Sequence, residues 1–190
     1  MPAIHFIHSG SRVKRGFTLL ELITTLSVMM ILVGAAAPSF SKIIEENKIK
    51  RLATEIEWLL VQAKSEAVMR NEKLKVHFVR DDSAELTYQD DGKWILAVTP
   101  KAASVTNRAS AKSAAIVMID GKEHKKVSIK VTETYLNYSI DPVRATSSKK
   151  GSYCFFQDST KKLKVIMSQI SGRIRTCGIT GSYYSYEKCN

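Results

Sequence analysis

Arg173 and Arg175 stand two residues apart in the run Ser171-Gly172-Arg173-Ile174-Arg175. A guanidinium group donates paired hydrogen bonds to oxyanions, so repeated arginines suit a chain of phosphates. In a strand the two side chains share one face about 7 Å apart, and Ile174 turns to the other face. That separation is close to the spacing of successive phosphates on a nucleic-acid strand. Gly172 permits the tight turn that presents both arginines. Lys161, Lys162, Lys164 and Lys188 add mobile cations in the same C-terminal region. A second chemical group is Glu21, the one charge in the apolar stretch from Phe17 to Phe40. A carboxylate in hydrocarbon costs about 2.5–3.5 kcal/mol, so Glu21 needs a cationic partner.

Other familiar chemistry is missing from the pattern. His5, His8, His77 and His124 accompany no nucleophile, and the chain has no GxSxG, P-loop, GxGxxG or paired-carboxylate signature. Cys154, Cys177 and Cys189 have no close cysteine or histidine pair beside them, which argues against zinc. The expectation is a non-enzyme with no cofactor and no metal.

The elements that position these residues follow from hydropathy. The stretch from Phe17 to Phe40 spans roughly 36 Å as a helix, enough to cross a bilayer. Arg12, Lys14 and Arg15 precede it without an acid, which keeps the leader cytoplasmic. A secretory signal cut near Gly34-Ala35-Ala36-Ala37 is the plainer alternative, but it leaves Glu21 unexplained. From Ser41 to Arg70, Ile49, Leu52, Ala53, Ile56, Leu59, Leu60, Ala63 and Ala67 recur at spacings of three and four. The two stretches predict one long helix, kinked near Pro38, whose second half lies on a sheet.

After Asn71 the period becomes two. Leu74, Val76 and Phe78 alternate with polar residues. Ala84 to Gln89 and Lys93 to Val98 flank Asp90-Asp91-Gly92 as a hairpin, and Ala115 to Ile119 with Lys126 to Val131 suggest another. Residues 100–113 and 141–151 read as loops, and Tyr153 to Gln157, Leu163 to Gln169 and Arg173 to Cys177 as late strands. The class is α+β, a long helix followed by about seven antiparallel strands.

The residues Lys14-Arg15-Gly16-Phe17-Thr18-Leu19-Leu20-Glu21 resemble the leader and first mature residues of type IV prepilins and pseudopilins. The resemblance implies a leader over residues 1–16, a membrane and filament-core helix over 17–40, and a globular domain over 41–190. It implies that the prepilin peptidase cuts after Gly16 and that Phe17 becomes the N-methylated terminus. Glu21 of this or a neighbouring subunit then neutralises the new amine. The protein would pass once through the inner membrane with its C-terminal domain in the periplasm, then join other pilin subunits in a pilus at the cell surface. The order of elements resembles the FimT/GspH branch of minor pilins and pseudopilins, with the type IV pilin fold of a helix against small antiparallel sheets.

In an oxidising periplasm a disulfide is expected. Cys177–Cys189 would close a small C-terminal loop, and Cys154–Cys177 would staple two late strands; the first is preferred.

The formal charge of +11 falls to +8 without the leader. From Asp141 to Asn190 nine lysines and arginines face three acids, so the late strands attract an anionic partner. Gly172, Arg173 and Arg175 resemble the GRxR signature of FimT-type minor pilins linked to DNA binding in natural transformation. The first functional reading is such a DNA-binding minor pilin, contacting DNA mainly through phosphates and without sequence preference. The second is a structural minor pilin, or a GspH-type pseudopilin of type II secretion, whose basic face meets an acidic subunit. Tyr183, Tyr184 and Tyr186 either stack on bases or pack on the sheet, and packing is preferred.

Overall fold

The computed structural model describes residues 16–80, 88 and 90–190. The expected leader lies outside the described residues except for Gly16, as does the expected strand Ala84 to Gln89 except for Tyr88. The chain divides into two compact units, Met1–Lys42 and Ile43–Asn190.

Helix α1 (Leu19–Arg70) runs through Pro38 without a break. Thr18 starts it: the Thr18 Oγ1 accepts the Glu21 N–H at 3.2 Å, satisfying one of the amides that a helix N-terminus leaves free. Glu21 therefore sits in the first turn, where the helix dipole favours a carboxylate. In the first unit the large apolar side chains of α1 are exposed, and the helix is long and apolar enough to cross a membrane.

In the second unit α1 is amphipathic. Ile49, Leu52, Ala53, Ile56, Leu59, Leu60, Ala63 and Ala67 are all buried, the same eight positions that the spacing selects. Each large aliphatic side chain so buried contributes about 1.5–3 kcal/mol. After α1 come β1 (Leu74–Arg80), β2 (Trp94–Pro100), α2 (Arg108–Ala114), β3 (Val117–Asp120), β4 (Ser128–Val131), β5 (Asn137–Ile140), β6 (Ser152–Phe156), β7 (Leu163–Met167) and β8 (Ile174–Gly178). They form two four-stranded antiparallel sheets, the first in the order β3-β2-β1-β5 and the second in the order β4-β6-β7-β8. The inner faces of both sheets share one core with α1. Tyr138 of the first sheet and Tyr153 of the second meet through their hydroxyls at 3.1 Å, which satisfies polar atoms buried at that junction. The class is α+β, a long helix packed on small antiparallel sheets.

Four expectations change. β2 pairs with β1 and β3, so its partner is not the segment before Asp90. Its run Trp94 to Val98 is continuously apolar because both faces are covered. The outer cover is α2, whose Ala111 packs with Ile95 and Ala97 where a loop was expected. Asn107 and Ser110 build a capping box at its start, with the Asn107 side chain accepting the Ser110 N–H at 2.8 Å. The second expected hairpin also dissolves: β3 lies in the first sheet and β4 in the second, with a single 3-10 turn Gly121–His124 between them. β5, absent from the sequence reading, returns the chain to the first sheet beside β1.

Candidate nucleic-acid interface

Alternation decides what the second sheet shows to solvent. Leu163, Val165 and Met167 of β7 are buried, which turns Lys164 and Ile166 outward. In β6, Tyr153 and Phe155 point in, leaving Ser152, Cys154 and Phe156 outside. In β4, Ile129 and Val131 point in, leaving Ser128 and Lys130 outside. Register joins these positions into rows. Lys130 is opposite Cys154, Cys154 opposite Lys164, and Lys164 opposite Cys177; in the next row Ile166 is opposite Arg175. Lys130, Lys164 and Arg175 thus share one face. Among the described residues no carboxylate occupies an outward position on β4, β6, β7 or β8. Uncompensated like charges on a solvated face favour an anionic partner.

β8 is one of the two edge strands of the second sheet, and its C-terminal half is closed by residues 187–189. Cys177 and Cys189 form a disulfide, and Cys154 remains a free, half-buried thiol. The Gly178 N–H donates to Glu187 O at 2.8 Å, and the Cys189 N–H donates to Gly178 O at 2.9 Å. This tail brings Lys188 to Arg175, whose Nη2 reaches the Lys188 carbonyl at 3.5 Å. Tyr183, Tyr184 and Tyr186 pack against the core.

The GRxR run differs from the expected uniform strand. β8 begins at Ile174, so Arg173 lies just before it, exposed, while Arg175 is half-buried in the sheet. Gly172 causes the difference. Its φ is +64°, and a Cβ there would stand 2.3 Å from Ala145 O, so only glycine fits the turn. The turn is tied on three sides: the Gly172 N–H donates to Ser168 O at 2.9 Å, the Ser168 N–H donates to Arg173 O at 2.8 Å, and Lys64 Nζ from α1 donates to Gly172 O at 2.8 Å. Arg173 is thereby anchored at its backbone with its side chain free. Ile174 packs against the core.

Lys162 and Lys164 stand at the β7 side of this face. Lys161 lies in the turn before β7, its N–H bonded to Asp158 O at 3.0 Å, at the end of the sheet away from Arg173. The expected cations therefore spread along β7 and β8, a length of about 17 Å for five residues.

Sequence reasoning missed Lys130 and counted Arg144 only within the charge of the C-terminal region. Lys130 is separated from the C-terminal run in sequence and joins it only through the β4–β6 register. Arg144 adjoins Ala145, the residue against Gly172, and shares a cleft of about 270 Å³ with Lys73, Ser139, Ser148 and Gln169. The backbone N–H of Arg144 beside the Asp141 carboxyl holds it below the usual carboxylate range. No cluster of three or more metal-ligating side chains exists among the described residues.

The prokaryotic N-terminal methylation motif matches residues 11–37. No curated protein sequence matches the chain. The crystal structure of the type IV minor pilin FimU from Pseudomonas aeruginosa (strain PAO1) superposes with a TM-score of 0.52 over 74% of this chain and 99% of that one, at 16% identity. The fold is that of a type IV pilin. The methylation motif includes Gly16, Phe17 and Glu21, and so lies at the start of the long helix in this pilin fold.

Proposed function

We propose that the chain is a minor pilin of a type IV pilus, of the FimT/GspH branch, that binds extracellular DNA and aids its uptake in natural transformation. One observation carries the DNA reading: the outward face of the second sheet gathers Lys130, Lys164 and Arg175, with no outward carboxylate on its four strands. Arg173 extends that face from a tied turn, and Lys161, Lys162 and Lys188 surround it. Phosphates supply the affinity, so binding is independent of sequence.

The methylation motif supports the assembly half of the reading. The prepilin peptidase removes residues 1–16, and Phe17 becomes the methylated terminus. The protein waits in the inner membrane as a single-pass protein with a periplasmic domain. It then enters the filament among other pilin subunits, where Glu21 meets a terminal amine.

The test is titration of labelled duplex with the detergent-solubilised full chain and its Arg173→Gln/Arg175→Gln variant. Loss of affinity by similar factors on unrelated sequences supports the reading. No binding by the wild type favours a structural minor pilin or a GspH-type pseudopilin.

A further inference from the structure

The two sheets differ in what covers their outer faces. Helix α2 lies on the first, and its Ala111 completes a small core there. The second carries outward cations and one outward aromatic ring, Phe156. A phenylalanine on the solvent side of a basic sheet has no role in the shared core, which lies on the opposite face.

Phe156 is paired with Tyr88, from the connection between β1 and β2. The ring centroids are 4.6 Å apart at an interplanar angle of 67°. Lys162 Nζ sits over both rings, 5.0 Å from the Phe156 centroid and 5.2 Å from that of Tyr88, and Lys130 Nζ sits over the Tyr88 ring at 5.7 Å. Both rings are half-buried, so part of each meets solvent. Aromatic surface and phosphate-binding cations are therefore interleaved within one patch, one row along the sheet from Lys130 and Lys164.

We propose that Tyr88 and Phe156 form a base-stacking seat that makes single-stranded DNA the preferred ligand of this face. The inference rests on the DNA-binding reading above and names the form of DNA it takes. Cations alone do not distinguish DNA from any other polyanion. A ring beside them does, because every base has a π-face and the lysines hold the flanking phosphates. A duplex hides its base faces in its own stack and offers these rings only its backbone. A single strand can turn a base onto Tyr88 or Phe156 in place of the Lys162 ammonium, which swings from the rings to a flanking phosphate beside Lys130 and Lys164. The edge-on pair fixes both rings, so little side-chain freedom is lost on binding.

The experiment titrates the detergent-solubilised full chain against three labelled probes of equal length: oligothymidylate, an abasic oligomer and a duplex. The wild type should bind oligothymidylate about tenfold more tightly than the abasic oligomer, and more tightly than the duplex. Phe156→Leu and Tyr88→Leu should each bring the first ratio toward one, with abasic and duplex affinities within about twofold of wild type. Tyr88→Phe keeps the ring and should keep the ratio, which separates stacking from a folding defect. Equal wild-type affinity for oligothymidylate and the abasic oligomer overturns the seat but leaves DNA binding standing. A ratio unchanged in both leucine variants overturns it too. Failure to bind any probe overturns both the seat and the reading it rests on.

Discussion

Gly172→Ala should separate the turn that presents Arg173 from the charges around it. The native φ of +64° is in the left-handed region, which costs a non-glycine residue about 1–2 kcal/mol. The new methyl would also stand 2.3 Å from Ala145 O, a backbone atom that cannot swing aside. Relieving the clash must lengthen the Gly172 N–H bond to Ser168 O or the Lys64 bond to Gly172 O. The first is worth about 1 kcal/mol and the charged one about 1.5–3 kcal/mol. Together the strain and the loss of one of these bonds should destabilise the domain by about 2–5 kcal/mol. Urea unfolding followed by the fluorescence of buried Trp94 reports it, with Ile170→Ala as an exposed control. Lys64→Met should cost less alone and add less than its full value on top of Gly172→Ala, because both act on one carbonyl. A change below about 0.5 kcal/mol for Gly172→Ala, or strict additivity with Lys64→Met, would refute this account of the turn.

Three further outcomes are expected. Replacing Cys177 and Cys189 by serine opens a loop of sequence separation 12, which should cost about 3 kcal/mol in chemical denaturation and speed amide exchange at Gly178 and Cys189. Intact mass of membrane-extracted protein should show loss of residues 1–16 and gain of one methyl group, and Gly16→Leu should block the cut; cleavage after Ala37 would contradict this. Burial, helped by Lys75, lowers the His77 pKa below 6.5, so the unfolded chain binds more protons there and stability falls as pH drops from about 6.5 through the lowered value; His77→Leu should flatten that fall in pH-dependent unfolding curves.

The helix and its buried face were legible because a period of three to four over many residues has one structural meaning. The eight apolar positions between Ile49 and Ala67 needed no tertiary knowledge. The late strands were legible for the same reason, as Leu163, Val165 and Met167 alternate strictly with outward residues. Pairing was not. Asp90-Asp91-Gly92 carries a hairpin's turn chemistry, yet β2 pairs across a longer connection to β1, whose complementary apolar face lies further back. Asp120-Gly121 reads as another hairpin turn, but the chain changes sheets there. Helix α2 was hidden because Ala111 is its one buried apolar residue and seven residues give too little period to recognise. In the candidate site, Arg173, Arg175 and the nearby lysines were visible as a local run. Lys130 and Tyr88 were not, because strand register and a ring contact bring them to that run from distant sequence.

The salt dependence of duplex binding tests the central claim most directly. Titrations at several salt concentrations should give a slope of log K against log[salt] of roughly −3 to −4.5, as expected for about three to five neutralised phosphates. Arg173→Gln/Arg175→Gln should make the slope shallower by about 2, and lysine at both positions should restore only part of the affinity because the paired donors are lost. Equal slopes and affinities for the wild type and the glutamine variant would contradict a phosphate-binding role for these two arginines and place any DNA contact on another surface.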